Sequence, residues 1–170
     1  RQAIQAFKYN GQTHLAEPLG YLMSEAMHNV FNQIKKPWLV PVPLHTAKEK
    51  QRGFNQSALL ANWISLNYGL KVKHLLLRTR QGSVQAGLQK GERKANLVRA
   101  YSLQSGVRLD PGQPLLLVDD VVTTGATLLA CARVLRRYSK AEIAAICFTA
   151  GTESQNRPGI DVQQKDMFFL

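Results

Sequence analysis

Residues 115–127 read LLLVDDVVTTGAT, and the fold turns on them. The opening run is apolar without alternation, the mark of a strand covered on both faces, as in a parallel sheet. Two carboxylates, Asp119 and Asp120, stand where that strand ends. A turn containing Gly125 follows and leads into an apolar-periodic helix predicted over residues 126–138. In an open parallel sheet ligands sit beyond the carboxyl ends of the strands, so the acids and the turn face one place.

The two halves of this stretch want opposite things. A glycine-containing turn that opens a helix aims unpaired backbone N–H groups at one spot, and the helix dipole adds positive potential there. Thr123, Thr124 and Thr127 supply hydroxyls, Gly125 allows close approach, and Val121, Val122 and Ala126 complete the turn. The carboxylates only accept hydrogen bonds, so they need a ligand with donors, such as a vicinal diol. A ribose carrying a 5-phosphate satisfies both halves. A Mg²⁺ ion carried by further phosphates would relieve the repulsion between the two acids, with no metal bound by the protein directly. The expected ligand is a ribose 5-phosphate bearing a pyrophosphate, or ribose 5-phosphate itself.

Working outward, the rest of the chain alternates helix and strand. Leu19, Leu22, Met23, Ala26, Met27, Val30 and Phe31 recur at helical spacing, with Pro18 tolerable in a first turn. WLVPVP (38–43) is short, β-rich and closed by prolines. A helix opens at Asn55 or Ser57 and stops at Gly69. HLLLR (74–78) and RAYSL (99–103) read as short buried strands, AEIAAICFTAG (141–151) as a last strand, and the final MFFL as a segment docked on the core. That order predicts an α/β domain with a mainly parallel sheet flanked by helices, one domain over residues 1–170. Residues 79–92, TRQGSVQAGLQKGE, carry three glycines and little periodicity, as a functional or mobile loop does.

Composition excludes several classes. At 170 residues and 45% apolar the chain suits one domain with a sizeable core. No apolar run approaches the roughly 20 residues of a membrane span, and no secretory signal is visible, so a cytoplasmic protein without membrane insertion is expected. Cys131 and Cys147 form no CxxC pair and read as buried thiols. The histidines lack metal-ligand spacing, and His45 alone follows a strand end. GSVQAGLQ (82–89) has P-loop glycine spacing but Leu88 and Gln89 where Lys and Ser/Thr are needed. The net charge is +11, and residues 71–99 hold eight basic residues against Glu92 alone. Such a surface favours polyanions, single-stranded DNA among them, with Tyr68 and Tyr101 as candidate stacking partners.

LLLVDDVVTTGAT resembles the phosphoribosyl pyrophosphate (PRPP) signature of type I phosphoribosyltransferases along its whole length. A narrower resemblance runs through FKYNG, VPVPLHTAKEKQRGFNQSALLA, LLLRTRQGSVQAGLQKGERKANLVRAYSL and the signature itself. Together they are similar to the ComF family, competence proteins of bacterial DNA uptake. The resemblance implies ribose on Asp119 and Asp120 and the 5′-phosphate on residues 121–127. It implies a pyrophosphate side at Leu44, His45, Arg52 and Gln56. A mobile flap follows over 79–93, with Arg78, Arg80, Gln85, Lys90, Arg93 and Lys94 as flap or DNA contacts. Members of the family commonly carry an N-terminal four-cysteine zinc ribbon, which this sequence lacks, and a start at Arg1 suggests a trimmed chain. Nothing after Gly151 suggests a hood to recognise a nucleobase. The expected function is a PRPP-binding protein of natural transformation that handles incoming single-stranded DNA in the cytosol with other DNA-processing proteins. The alternatives are a nucleobase phosphoribosyltransferase of nucleotide salvage and a PRPP-sensing regulator.

Overall fold

A computed structural model describes residues 15–79, 100–122, 124–147 and 168–169. Its central strand is β4 (Leu115–Val118), fully buried along its length. β1 (Trp38–Pro41) pairs with one edge of β4, β5 (Ile143–Ile146) with the other, and β6 (Phe168–Phe169) with β5. All three pairings are parallel. The absence of alternation in LLLV follows from helices covering both faces. Leu115 and Leu117 face α4 (Ala126–Arg136), packing with Leu128, Cys131 and Leu135. Leu116 and Val118 face the opposite layer, α1 (Ala16–Gln33) and α3 (Gln56–Tyr68), packing with Met23, Met27, Leu60 and Ile64.

α1 and α3 approach closely at Gly20, where a β-carbon would stand 2.7 Å from Trp63 Cβ. The predicted stripe of α1 holds at Leu19, Met23 and Met27, which are buried, but Leu22 is 59% exposed beside Tyr21. Helical spacing alone gives Leu22 a place on the stripe, but the packing of the described residues leaves it exposed. The side chains of Ala26, Val30 and Phe31 lie outside the described residues. α3 has the ends read from the sequence: Asn55 caps it in an extended conformation and Gly69 ends it in the left-handed region.

One helix and one pairing were not legible beforehand. A seven-residue helix, α2 (Thr46–Arg52), follows β1 and buries none of its residues. β2 (Leu76–Arg78) and β3 (Tyr101–Leu103) are strands as expected, but they pair antiparallel with each other in a separate two-stranded sheet. Single bridges from Leu39 to Val72 and from His45 to Arg78 lay that hairpin beside β1. Within the terminal apolar segment, Phe168 and Phe169 pair with β5 as strand β6. Among the described residues no helix is long and apolar enough to cross a membrane.

Candidate functional site

Parallel pairing aligns the strand ends. Pro41 stands opposite Val118, and Val118 opposite Ile146, so the chain leaves β1, β4 and β5 at one level. Val42 N–H still donates to Val118 O and Asp119 N–H to Ile146 O, which carries the order just past the strands. A cleft of about 270 Å³ opens there, close to the lower limit of about 300 Å³ usual for small-molecule sites.

The carboxylate pair forms one wall. Asp119 Oδ1 accepts from Ser57 Oγ at 3.0 Å and from the Asp120 N–H at 2.9 Å, which fixes the rotamer of the carboxyl group. Asp120 is 8% exposed. Ser57 is itself placed by Asn55, whose Oδ1 accepts from Ser57 N–H and whose Nδ2 donates to Val42 O, both at 3.0 Å. A helix cap and a strand end are thus joined through one amide, and the strand-end acid leans on that joint. Beyond Asp120, Gly125 takes φ 71° and turns the chain into α4. Thr124 Oγ1 accepts from Ala126 N–H at 3.4 Å, and Thr127, in the first turn of α4, lines the cleft. Thr123 lies outside the described residues.

Cations line the same cleft. Lys48 and Arg52 are one turn apart on α2, and both line the cleft with Leu44, Gln56 and Arg78. Gly53, at φ 79°, ends α2 in the left-handed conformation that favours glycine, and so lets Arg52 and Gln56 reach the same cavity from successive helices. His45 is placed differently: its Nδ1 accepts from Ala47 N–H at 3.2 Å, capping α2, and its side chain is not part of the cleft lining. Of the residues read as flap or DNA contacts, Arg78 lies in the cleft wall. Arg80, Gln85, Lys90, Arg93 and Lys94, with the flap itself, lie outside the described residues.

Tyr101 also lines the cleft, where the sequence alone points only to packing or stacking. It lies across the hairpin from Arg78, whose guanidinium carbon is 5.5 Å from the ring centroid. Burial pushes the phenol up to about 12; Cys131 and Asp119 act in the same direction, while Arg78 and the nearby Thr127 hydroxyl act against it. Burial likewise raises the thiols, Cys131 beyond the usual cysteine range and Cys147 to about 11, with Asp119 adding to both. These thiols are neutral packing groups at physiological pH. Ser57 and Lys48 also escaped the sequence reading, although each carried a signal: Ser57 at a helix start, Lys48 one turn before Arg52.

Residues 49–167 match the family described as the phosphoribosyl transferase domain. The chain is 33% identical over 144 residues to Competence protein F of Haemophilus influenzae, covering 82% of this chain and 63% of that protein. It is 32% identical over 151 residues to the DNA utilization protein YhgH of Escherichia coli K12, covering 85% of this chain and 64% of that one. The chain therefore spans just under two thirds of the length of these curated relatives. Their names accord with the resemblance to the ComF family. Among solved structures, TT1426 from Thermus thermophilus superposes with a TM-score of 0.53 at 14% identity, over 91% of this chain and 82% of that one, a likeness of fold.

Proposed function

The chain belongs to the phosphoribosyl transferase domain family, and on that premise we propose that its cleft binds PRPP with Mg²⁺. The ribose diol pairs with Asp119 and Asp120. The 5′-phosphate takes the turn from Val121 to Thr127 at the start of α4. The pyrophosphate lies toward Leu44, Arg52 and Gln56, with Lys48 beside them, and carries the magnesium. In this reading the whole chain is one phosphoribosyltransferase-like domain of a cytoplasmic protein of DNA uptake, acting on single-stranded DNA beside other DNA-processing proteins. The names of the curated relatives support the DNA role.

One observation carries the ligand assignment: carboxylates, the first turn of a helix and cations from two separate segments line one cavity. A monoanion would be repelled by Asp119 and Asp120, and a cation by Lys48, Arg52 and Arg78. A diol flanked by phosphates suits both walls. Calorimetry with PRPP and Mg²⁺ tests it. Replacing both acids (Asp119→Asn with Asp120→Asn) should weaken binding by roughly 2–4 kcal/mol, from two lost charge-assisted bonds. Equal affinity in the double variant would remove the ribose from that wall. If inorganic pyrophosphate competes with PRPP and ribose 5-phosphate does not, the orientation is reversed.

The same arrangement favours a second reading, transfer of the phosphoribosyl group to a nucleobase. There the base forms a bond to C1 of the ribose as the C1–O bond to pyrophosphate breaks, and the cleft stabilises the separating charges. Pyrophosphate release from PRPP, assayed with each nucleobase, distinguishes turnover from binding alone.

A further inference from the structure

The end of the sheet opposite the cleft gathers cations. The segments that lead into β1, β4 and β5 are tied together there by hydrogen bonds. Gln113 Nε2 donates to Lys36 O, and Trp38 N–H to Pro114 O. Ser139 Oγ and the N–H groups of Lys140 and Ala141 all donate to Pro111 O, and Leu115 N–H to Glu142 O. A further segment flanks β1, with Leu39 N–H donating to Lys71 O and Lys73 N–H to Leu39 O. On these segments Lys35, Lys36, Lys71, Lys73, Arg137 and Lys140 are all exposed. Asp110 and Glu142 are the exposed acids among them, and Asp110 Oδ1 already accepts from Gly112 N–H.

An aromatic ring stands open among these cations. Tyr138, between Arg137 and Lys140, is 51% exposed. Trp38 differs: it packs against the core, and Lys73 Nζ lies 5.1 Å from its ring centroid. A helix C-terminus draws cations through its dipole, which accounts for Arg133 and Arg136 in the last turn of α4. It does not account for Lys71 and Lys73 on an extended segment, or for a tyrosine left in water. Cations around an open ring suit a chain that carries both phosphates and unpaired bases. An acidic peptide would use the cations and leave the ring without a role. From the Lys71–Lys73 segment to β5 is three strand spacings, roughly 14 Å, enough for a short single strand to lie across.

We propose that single-stranded DNA binds across this end of the sheet, with a base stacked on Tyr138 and phosphates on Lys36, Arg137 and Lys140, continuing toward Lys71 and Lys73. This rests on the DNA role proposed above and gives it a surface. The cleft lies beyond the carboxyl ends of the strands and this surface at their amino ends. The four residues of β4 separate them by roughly 13 Å. DNA and the ligand of the cleft therefore bind together, without competing.

Fluorescence anisotropy of a labelled single-stranded oligodeoxynucleotide, titrated with the full chain at several salt concentrations, tests this. Tyr138→Ala should weaken binding by roughly five- to a hundredfold, the range for one lost base–aromatic stack, while Tyr138→Phe keeps the ring and should stay near the parent. Lys36→Glu with Lys140→Glu should flatten the log–log salt slope by about 1.4, two phosphates' worth. Urea midpoints should not move, since all three side chains are exposed. A duplex of the same sequence should bind more weakly than the single strand, because its bases cannot leave the stack. Saturating PRPP with Mg²⁺ should leave the DNA bound. Unchanged affinity in Tyr138→Ala would overturn the surface, as would equal binding of the duplex or displacement of the DNA by PRPP. If the parent binds single strands and only charge reversal at Lys90, Arg93 and Lys94 weakens them, the DNA role stands and this surface fails. If the parent binds no single strand even at low salt, both fail.

Discussion

At the scale of single residues, Asp119 depends on a serine 62 positions away. Ser57 Oγ is a donor to Asp119 Oδ1, beside the Asp120 N–H. Ser57→Ala should leave the charge in place and loosen its aim, lowering PRPP affinity by about 0.5–1.5 kcal/mol, well short of the loss from the two carboxylates. Calorimetry on the variant checks the ranking. The raised groups around the site make a pH prediction. Cys131, Cys147 and Tyr101 have ordinary values of 9.0, 9.0 and 10.0, and the last two are pushed up to about 11 and about 12. Above pH 9 the unfolded chain therefore loses protons that the folded chain keeps. Stability is fully present below about pH 9 and declines as pH rises through roughly 9–12. Urea midpoints measured from about pH 8 to 11 should fall, and a flat profile would contradict the burial of these groups.

At the scale of elements, one amide joins α3 to β1. Asn55 caps α3 through Ser57 N–H and donates to Val42 O. Asn55→Ala removes a cap and strands a carbonyl, so a loss of about 2–3 kcal/mol in urea unfolding is expected. Ligand affinity should fall with it, because Ser57 moves. Gly20 shows the opposite sensitivity. In an exposed helix Gly→Ala would gain up to about 1 kcal/mol, but here the new methyl would meet the Trp63 side chain at 2.7–3.0 Å. Gly20→Ala should be net destabilising, by about 1–3 kcal/mol, since α1 must lift from α3. A variant as stable as the parent would mean the two helices can part without loss.

At the scale of the whole molecule, the charge of +11 bears on partners more than on fold. If four to six of the basic residues in 71–99 meet phosphates of a single strand, affinity falls with salt at a log–log slope of roughly −3 to −4. Charge reversal at Lys90, Arg93 and Lys94 should flatten that slope and largely spare PRPP binding. Fluorescence titrations of a single-stranded oligonucleotide at several salt concentrations measure both. No binding at low salt would reduce these charges to a solubilising surface.

Features that depend on near neighbours in the chain were legible without coordinates. The unbroken apolar run before Asp119 required a strand covered on both faces, and Asn55 and Gly69 marked the ends of α3 because capping and left-handed turns are decided locally. The carboxylates and the turn at Gly125 were legible for the same reason, being contiguous. Long-range packing decided everything that needed distant segments to meet. β2 and β3 could have joined the main sheet, and their direct pairing depends on each other across residues 79–100. α2 escaped notice because a short helix that buries nothing leaves no hydrophobic period. Leu22 had the right spacing and is still exposed, since spacing names a stripe and only tertiary packing decides how much of it is covered. Arg78, Tyr101 and Gln56 had no signal linking them: a strand cation, a strand aromatic and a helix amide line one cavity only because the hairpin lies beside β1 and α3 is tied to its end. Periodicity records which side chains leave water; which of them face the same cavity is set by how the elements pack.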